Sequence, residues 1–436
     1  MPFLDGIDLW DNENMLRIGF ISLGCPKNLV DSEKIMGLLL KEGYKIVHPE
    51  DADVVIINTC AFLDLARKEN HAVIERWKDK GKKIIIAGCL VTYYGEEINK
   101  VFPFISGSIG IADLSKISQV LRKPSFYFSK NGNNYLTERV LTTFPWAYLK
   151  ISEGCSNRCS YCLIPELRGE YRSYPPELLL AEARALAESG VKEIILVGQD
   201  TAIYGKEWEE WSIARLIREI SKISGIEWIR VMYLHPRHIT RELIECVAEN
   251  EKVVKYLDIP IQHCNDKILA RMNRGITKRE LFHLFQNLRN KIRNLTLRTT
   301  VMVGFPGEGE REFKELKSFL EEIEFERVGV FAYSQEPGTP ASFFKDQVDE
   351  KVKEARKKEI YSLQKEIMEK KDREIQGKVL KVLIEGEEKG YLIGRSERDA
   401  PEIDEMVKVK GDVKIGEIVK VKIKKVGEYF LEGETL

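Results

Sequence analysis

The sequence predicts an α/β chain in three parts: an N-terminal open parallel α/β sheet, a central partial (β/α) TIM-like barrel and a small C-terminal antiparallel β-barrel. Three observations carry this. Strand-like apolar runs alternate with amphipathic helical runs from Leu16 to Ala332, the pattern of parallel sheets. A charged helical run over Glu350–Ile375 then interrupts it. Beyond Gly377 come short alternating strands with Gly at the breaks, as in small closed barrels. At 436 residues the chain exceeds what one hydrophobic core serves, and the parts are expected at 15–122, 140–375 and 376–436.

Composition excludes some functions. With 68 basic against 69 acidic residues there is no global field to draw in nucleic acid. The 31% of charged residues leans toward a heat-adapted source. No apolar run is long enough to span a bilayer and no basic-then-apolar signal opens the chain, so a cytosolic, cytoplasmic protein without a membrane partner is expected; a monomer is expected as well. In that reducing compartment the eight cysteines read as metal ligands before disulfides.

Residues 1–14 are acidic and aperiodic, and no role is assigned to them. Arg17–Leu23 reads as a strand and Asp31–Glu42 as a helix ending at Gly43. Strand Asp53–Ile57, helix Phe62–Lys78 and strand Lys83–Ala87, ending at Gly88, follow. Cys25, Cys60 and Cys89 each come shortly after a strand's last apolar residue. The carboxyl ends of a parallel sheet share one edge, where ligands of such folds bind, so these thiols, 35 and 29 residues apart, are expected at one crevice as ligands of a three-thiol cluster. The alternative is three small apolar plugs, one after each strand.

Arg122–Pro145, polar and rich in aromatics, reads as a linker with one hairpin. Strand Ala147–Ile151 then runs into Gly154–Gly169, where Cys155, Cys159 and Cys162 form CxxxCxxC. Three thiols around one corner can bind three irons of a cubane and leave the fourth open for chemistry. Electron-carrying ferredoxins use four thiolates, and structural zinc sites close with a fourth Cys or His. The alternative is three unrelated core cysteines.

Further βα units follow: helix Pro176–Glu188 and strand Glu193–Val197, helix Ser212–Ser221 and strand Trp228–Tyr233, helix Arg241–Asn250 and strand Lys255–Ile259. Two helical stretches across Asp266–Arg293 lead to strand Thr296–Val303, helix Glu310–Glu322 and strand Arg327–Ala332. Chemistry in such barrels sits at the strands' carboxyl ends, which here carry Gln199-Asp200, His235, Gln262-His263 and, within the fifth strand, Arg298-Thr299-Thr300. Polar residues there also serve as caps and turn formers. Cys246 and Cys264 have no partner at metal spacing. Glu350–Ile375 reads as a solvated spacer helix. The last strands are expected at Val379–Glu385, Gly390–Ser396, Met406–Lys410, Ile418–Val426 and Tyr429–Glu432. From Gly377 onward 12 Lys or Arg face 13 Asp or Glu, which lacks the basic excess of an RNA grip and fits a protein substrate better.

The CxxxCxxC stretch resembles the radical S-adenosylmethionine (SAM) enzymes. Ser22–Glu33 (SLGCPKNLVDSE), Asn58–Phe62 (NTCAF) and Gly88–Leu90 (GCL) resemble the N-terminal domain of methylthiotransferases. The SLGCPKN form, Asp258–His263 and Gly394–Asp404 are similar to the RimO branch, and the last part to the TRAM module. The resemblance implies two 4Fe-4S clusters and SAM as cofactors. One cluster, on the catalytic Cys155, Cys159 and Cys162, would reduce SAM to a radical. The other, on Cys25, Cys60 and Cys89, would hold a sulfur methylated by a second SAM. It implies as substrate the β-carbon of an aspartate in small-subunit ribosomal protein S twelve, whose unactivated C–H calls for a radical, and an electron donor such as flavodoxin or ferredoxin. Gln199, Gln262 and Arg298 become SAM contacts, the last because a guanidinium fork matches a carboxylate. Tyr174 departs from the family's usual Arg-Ser-Arg-Pro. The alternatives are a tRNA adenosine methylthiotransferase of the MiaB type and a non-enzymatic iron–sulfur or RNA-binding scaffold.

Overall fold

The computed structural model describes residues 15–129, 132, 135–427 and 430–436. The first sheet is built from β1 (Arg17–Ser22), β2 (Lys45–Val47), β3 (Val54–Thr59), β4 (Lys83–Gly88), β5 (Gly107–Ile109) and β6 (Phe126–Tyr127), all parallel, in the order β2-β1-β3-β4-β5-β6. β3 is buried along its whole length, as expected of a central parallel strand covered by helices on both faces.

The second sheet begins with β7 (Trp146–Lys150). A short antiparallel ladder, β8 (Ser152–Glu153) with β9 (Arg172–Ser173), closes the base of the CxxxCxxC loop. The sheet continues through β10 (Glu193–Val197), β11 (Trp228–Val231), β12 (Val253–Asp258), β13 (Thr296–Val303) and β14 (Arg327–Ala332) in the order β14-β13-β12-β11-β10-β7, parallel throughout. β15 (Val379–Glu388), β16 (Tyr391–Ser396), β17 (Met406–Lys410), β18 (Ile418–Val426) and β19 (Phe430–Thr435) close a barrel in the order β15-β16-β17-β19-β18. Its pairings are antiparallel except β17 with β19, which run parallel.

Four expectations change. The first helix starts at Pro26, not Asp31, because Cys25 is an extended N-cap and Pro26 supplies the first helical position. The 122–145 linker shows no hairpin among its described residues. Instead β6 carries the first sheet on to Tyr127, past the boundary at 122, and Arg139 is pinned to Glu33 and Glu182, each at 2.9 Å. The helix Glu350–Arg373 is not a solvated spacer. Ile360 and Ile367 are buried, Tyr361 donates to the Val330 carbonyl at 3.2 Å and Gln364 to that of Phe325 at 3.0 Å, so one face lies against the second sheet. Tyr174 is core, its ring packed on Tyr135 with centroids 4.9 Å apart. The expectations for residues 1–14 and for the strand start at Tyr429 lie outside the described residues.

The C-terminal barrel is docked by its β16–β17 loop. Ala400 packs among the inward-facing Trp146, Tyr148, Ile195, Trp228 and Tyr256 of the second sheet. Around it, Glu193 binds Arg230 at 2.7 Å and Arg395 at 2.5 Å, and Arg327 binds Asp399 at 2.8 Å and Glu405 at 3.0 Å. Buried charges of this kind persist because each is paired.

Candidate iron–sulfur and SAM site

The edge trio is assembled by the ends of β1, β3 and β4. Asn28 donates to the carbonyls of Leu23 at 3.0 Å and Thr59 at 2.8 Å, and Asn58 donates to the Asn28 carbonyl at 2.8 Å, which ties the turn at Cys25 to the strand end before Cys60. The Cys60 N–H donates to Asn70 Oδ1 at 3.0 Å. Gly88, at φ 95°, sends the chain directly into the helix that begins with Cys89; a Cβ there would stand 2.3 Å from Asn58 Oδ1. Gly24, directly before Cys25, lies against Cys60: a Cβ there would stand 3.3 Å from Cys60 Sγ.

The loop trio hangs between β8 and the helix Ile164–Arg168. Gly154 lies at φ 76°, and a Cβ there would be 2.2 Å from the Glu170 carbonyl oxygen. The Ile164 N–H points at Cys162 Sγ at 3.4 Å and Arg274 points at Cys159 Sγ at 3.5 Å. Asp200 holds the loop from the sheet, accepting from Asn157 at 2.9 Å and lying 2.7 Å from His238 Nδ1. Burial, reinforced by Arg274, pushes the neighbouring His235 imidazole down to about 3, so it stays neutral.

A buried network joins the trios. Arg168, six residues past Cys162, binds Glu153 at 2.9 Å and reaches Asn28 Oδ1, while Lys150 binds Glu153 at 2.9 Å and also Asp31. Two cations thus meet two carboxylates, and burial is outweighed by Arg168 and Lys150 in holding Glu153 well below the usual carboxylate range. Leu163, which caps the same short helix, and Leu167 within it pack in the core of the first sheet with Ile57, Ile86 and Leu90. Burial alone would raise Cys25, but Lys27 and Arg168 hold it below its ordinary value. Burial pushes Cys89 up to about 12 and Cys155 up to about 11, and raises Cys60 and Cys162.

The donor sets suit clusters. All eight cysteines are free. Among the described residues only Asp200, His235 and His238 bring three donors within 4.8 Å of one another. Each trio offers three free thiols, soft donors that suit an iron–sulfur cluster. Cys246 is buried in the core and Cys264 is fully buried, its thiol on the Glu315 carbonyl at 3.5 Å.

The expected SAM contacts fare differently. Gln199 lies beside the loop trio's support, donating to Glu153 Oε1 at 3.1 Å. Gln262, at φ 69°, bridges to β13 through its backbone. Arg298 faces protein carboxylates, Asp258 at 3.3 Å and Asp404 at 3.7 Å, so its fork is already engaged. Sequence reasoning missed Arg168, Glu153, Lys150, Asp31 and Arg274. Arg168 lies within the quoted cysteine stretch and Asp31 within the SLGCPKNLVDSE run, but nothing in the spacing pairs them.

Known families cover most of the chain. The Radical SAM superfamily matches residues 149–320, the uncharacterized protein family UPF0004 residues 17–110 and the TRAM domain residues 377–436. In overall shape the chain resembles the radical S-adenosylmethionine methyltransferase TsrM of Kitasatospora setae, with a TM-score of 0.56 at 11% identity over 75% of this chain and 77% of that one, a likeness of fold alone. It is 44% identical to the ribosomal protein uS12 methylthiotransferase RimO of Acetivibrio thermocellus over 96% of this chain and 98% of that one. To the protein of the same name from a Thermoanaerobacter species it is 46% identical, over 96% and 100%. At such identity over nearly its whole length, the chain belongs to the RimO family of ribosomal protein uS12 methylthiotransferases.

Proposed function

We propose that Cys155, Cys159 and Cys162 hold the cluster with the open iron and that Cys25, Cys60 and Cys89 hold the second. The chain is a radical SAM methylthiotransferase that uses two 4Fe-4S clusters and SAM, and its substrate is ribosomal protein uS12. We place the transfer on the β-carbon of an aspartate of that protein, with flavodoxin or ferredoxin as electron donor and the monomer as the working unit. Three domains divide the work: an N-terminal one from 15, carried on to Tyr127 by β6, then 140–375 and 376–436.

The observation that carries this is the Arg168–Glu153 network, which fixes the loop trio to the edge trio through buried pairs. When bound, the clusters and SAM supply the electron, the radical and the sulfur that an unactivated C–H requires. The protein's own residues do the rest. Arg274 and the Ile164 N–H place positive partners against the sulfurs of Cys159 and Cys162. Gln199 and Gln262, at the carboxyl ends of β10 and β12, would hold SAM when it is bound, while Arg298 joins Asp404 and Asp258 to hold the C-terminal barrel's loop.

Anaerobically purified protein should contain about eight irons, falling to about half when either trio is replaced by alanine. Mass spectrometry of uS12 after reaction should show the added methylthio group on aspartate. Modified tRNA with unmodified uS12 would overturn the substrate assignment.

A further inference from the structure

We propose that Lys27 receives the carboxylate of the substrate aspartate. The inference rests on the reading above, that the target is an aspartate side chain. Lys27 stands two residues after Cys25 in the first turn of the helix Pro26–Lys41 and is 9% exposed. Its Nζ lies 3.8 Å from the centroid of the Tyr233 ring. Tyr233 follows β11 at φ 62°, at the carboxyl edge of the second sheet, so the ammonium spans from the edge trio to the opposite sheet.

What sets Lys27 apart is that no carboxylate pairs with it, although its charge acts on the Cys25 thiol two residues before it. Lys150 and Arg168 pair with Glu153, Lys34 with Glu182 and Arg139 with Glu33, while the buried Arg274 points at Cys159 Sγ at 3.5 Å. Among the described residues no carboxylate oxygen lies within 4.0 Å of Lys27 Nζ. The carboxylates that act on Tyr233 are engaged elsewhere: Asp258 accepts from the Tyr233 N–H at 3.1 Å and from Arg298, and Glu402 from the Tyr148 hydroxyl at 3.0 Å. Burying an ammonium without a hydrogen-bonded carboxylate is costly, and one aromatic face and the neighbouring Cys25 sulfur offset only part of the cost. A ligand carboxylate completes the site.

Two carboxylates could arrive there, that of the substrate aspartate and that of SAM. The position favours the aspartate. Lys27 adjoins the edge trio and not the CxxxCxxC loop, and the target β-carbon is directly bonded to the carboxylate it would hold.

The test uses holoenzyme carrying Lys27→Met or Lys27→Arg, with uS12 bearing either aspartate or asparagine at the target position. Binding is read by fluorescence anisotropy and turnover by mass spectrometry. Unaltered enzyme should prefer the aspartate form by roughly 30-fold, the size of one charge-assisted contact. K27M should bring the ratio to within about 3-fold while iron content stays unchanged, and K27R should keep the preference. A K27M enzyme that keeps the full preference overturns the assignment. Loss of iron would make Lys27 a partner of the cluster, and a raised KM for SAM with an unchanged ratio would give it to the SAM carboxylate; either result also overturns it. If unaltered enzyme modifies neither form of uS12, the parent reading fails first and takes this one with it.

Discussion

Cys155, Cys159 and Cys162 occupy one loop of eight residues, whereas Cys25, Cys60 and Cys89 come from three strand ends separated by 35 and 29 positions. The loop trio takes shape on the β8–β9 ladder and a short helix, with Asp200 holding it from the sheet. The edge trio exists only when β1, β3 and β4 are in register and Asn28 and Asn58 have stapled their ends. A local site depends on its loop, and a distributed one on a whole sheet. The electrostatics differ too, since Lys27 and Arg168 hold Cys25 below its ordinary value while burial dominates at Cys155.

The largest expected effects separate the trios by chemistry. Cys155→Ala should abolish formation of 5′-deoxyadenosine, a loss on the order of a thousandfold or more, as expected when a cofactor ligand is removed. Cys60→Ala should leave SAM cleavage in place and lose the methylthio product. Thiomethylation by either variant would erase the division of labour. Arg168→Met should strike both trios at once. It leaves Asp31 and Glu153 sharing Lys150 alone, at a cost of about 3–5 kcal/mol for a broken buried pair. A lowered melting temperature with loss of iron from both sites is the expected result. A variant that sheds only one cluster would show that the network does not couple them.

Two glycines sharpen the contrast at smaller cost. Gly88→Ala and Gly154→Ala each force a Cβ into a left-handed position, at φ 95° and 76°, for about 1–3 kcal/mol of strain before any clash. The first meets Asn58 and the second the Glu170 carbonyl. Iron analysis should therefore show G88A losing the edge cluster with SAM cleavage retained, and G154A losing the loop cluster.

These differences also explain what could be read before the structure. The strands Glu193–Val197, Thr296–Val303 and Arg327–Ala332 fall where they were expected, the first as a fully buried run and the second through its alternating burial. The loop trio is legible from spacing. The edge trio is legible only through topology, because equivalent strand ends must share an edge. β2, β5 and β6 escaped notice, being two or three residues long and too short for any period to show. The helix Glu350–Arg373 misled because charged stems such as Lys353 and Arg356 cover apolar surface as they lie buried along the sheet. Arg168 with Glu153 and Asp31 could not be read at all: partners as far apart as Asp31 and Arg168 become neighbours only once both domains are folded.

Arg274 gives the finest test of the contrast, because it touches one trio alone. Its guanidinium is buried, 3.5 Å from Cys159 Sγ, and it donates to the Pro260 carbonyl at 2.5 Å. A positive charge beside a thiolate favours the reduced, more negative cluster, so removing it should make the loop cluster harder to reduce. Arg274→Gln keeps a donor and loses the charge; a tenfold change in the one-electron equilibrium corresponds to a potential lower by about 60 mV. Redox titration followed by electron paramagnetic resonance should show the loop cluster shifted and the edge cluster unmoved. SAM cleavage driven by a weak reductant should slow, while strong reductant restores it. A shift of equal size in both clusters would mean that the two sites share one electrostatic environment, and the separation of local from distributed trio would then hold for folding but not for redox chemistry.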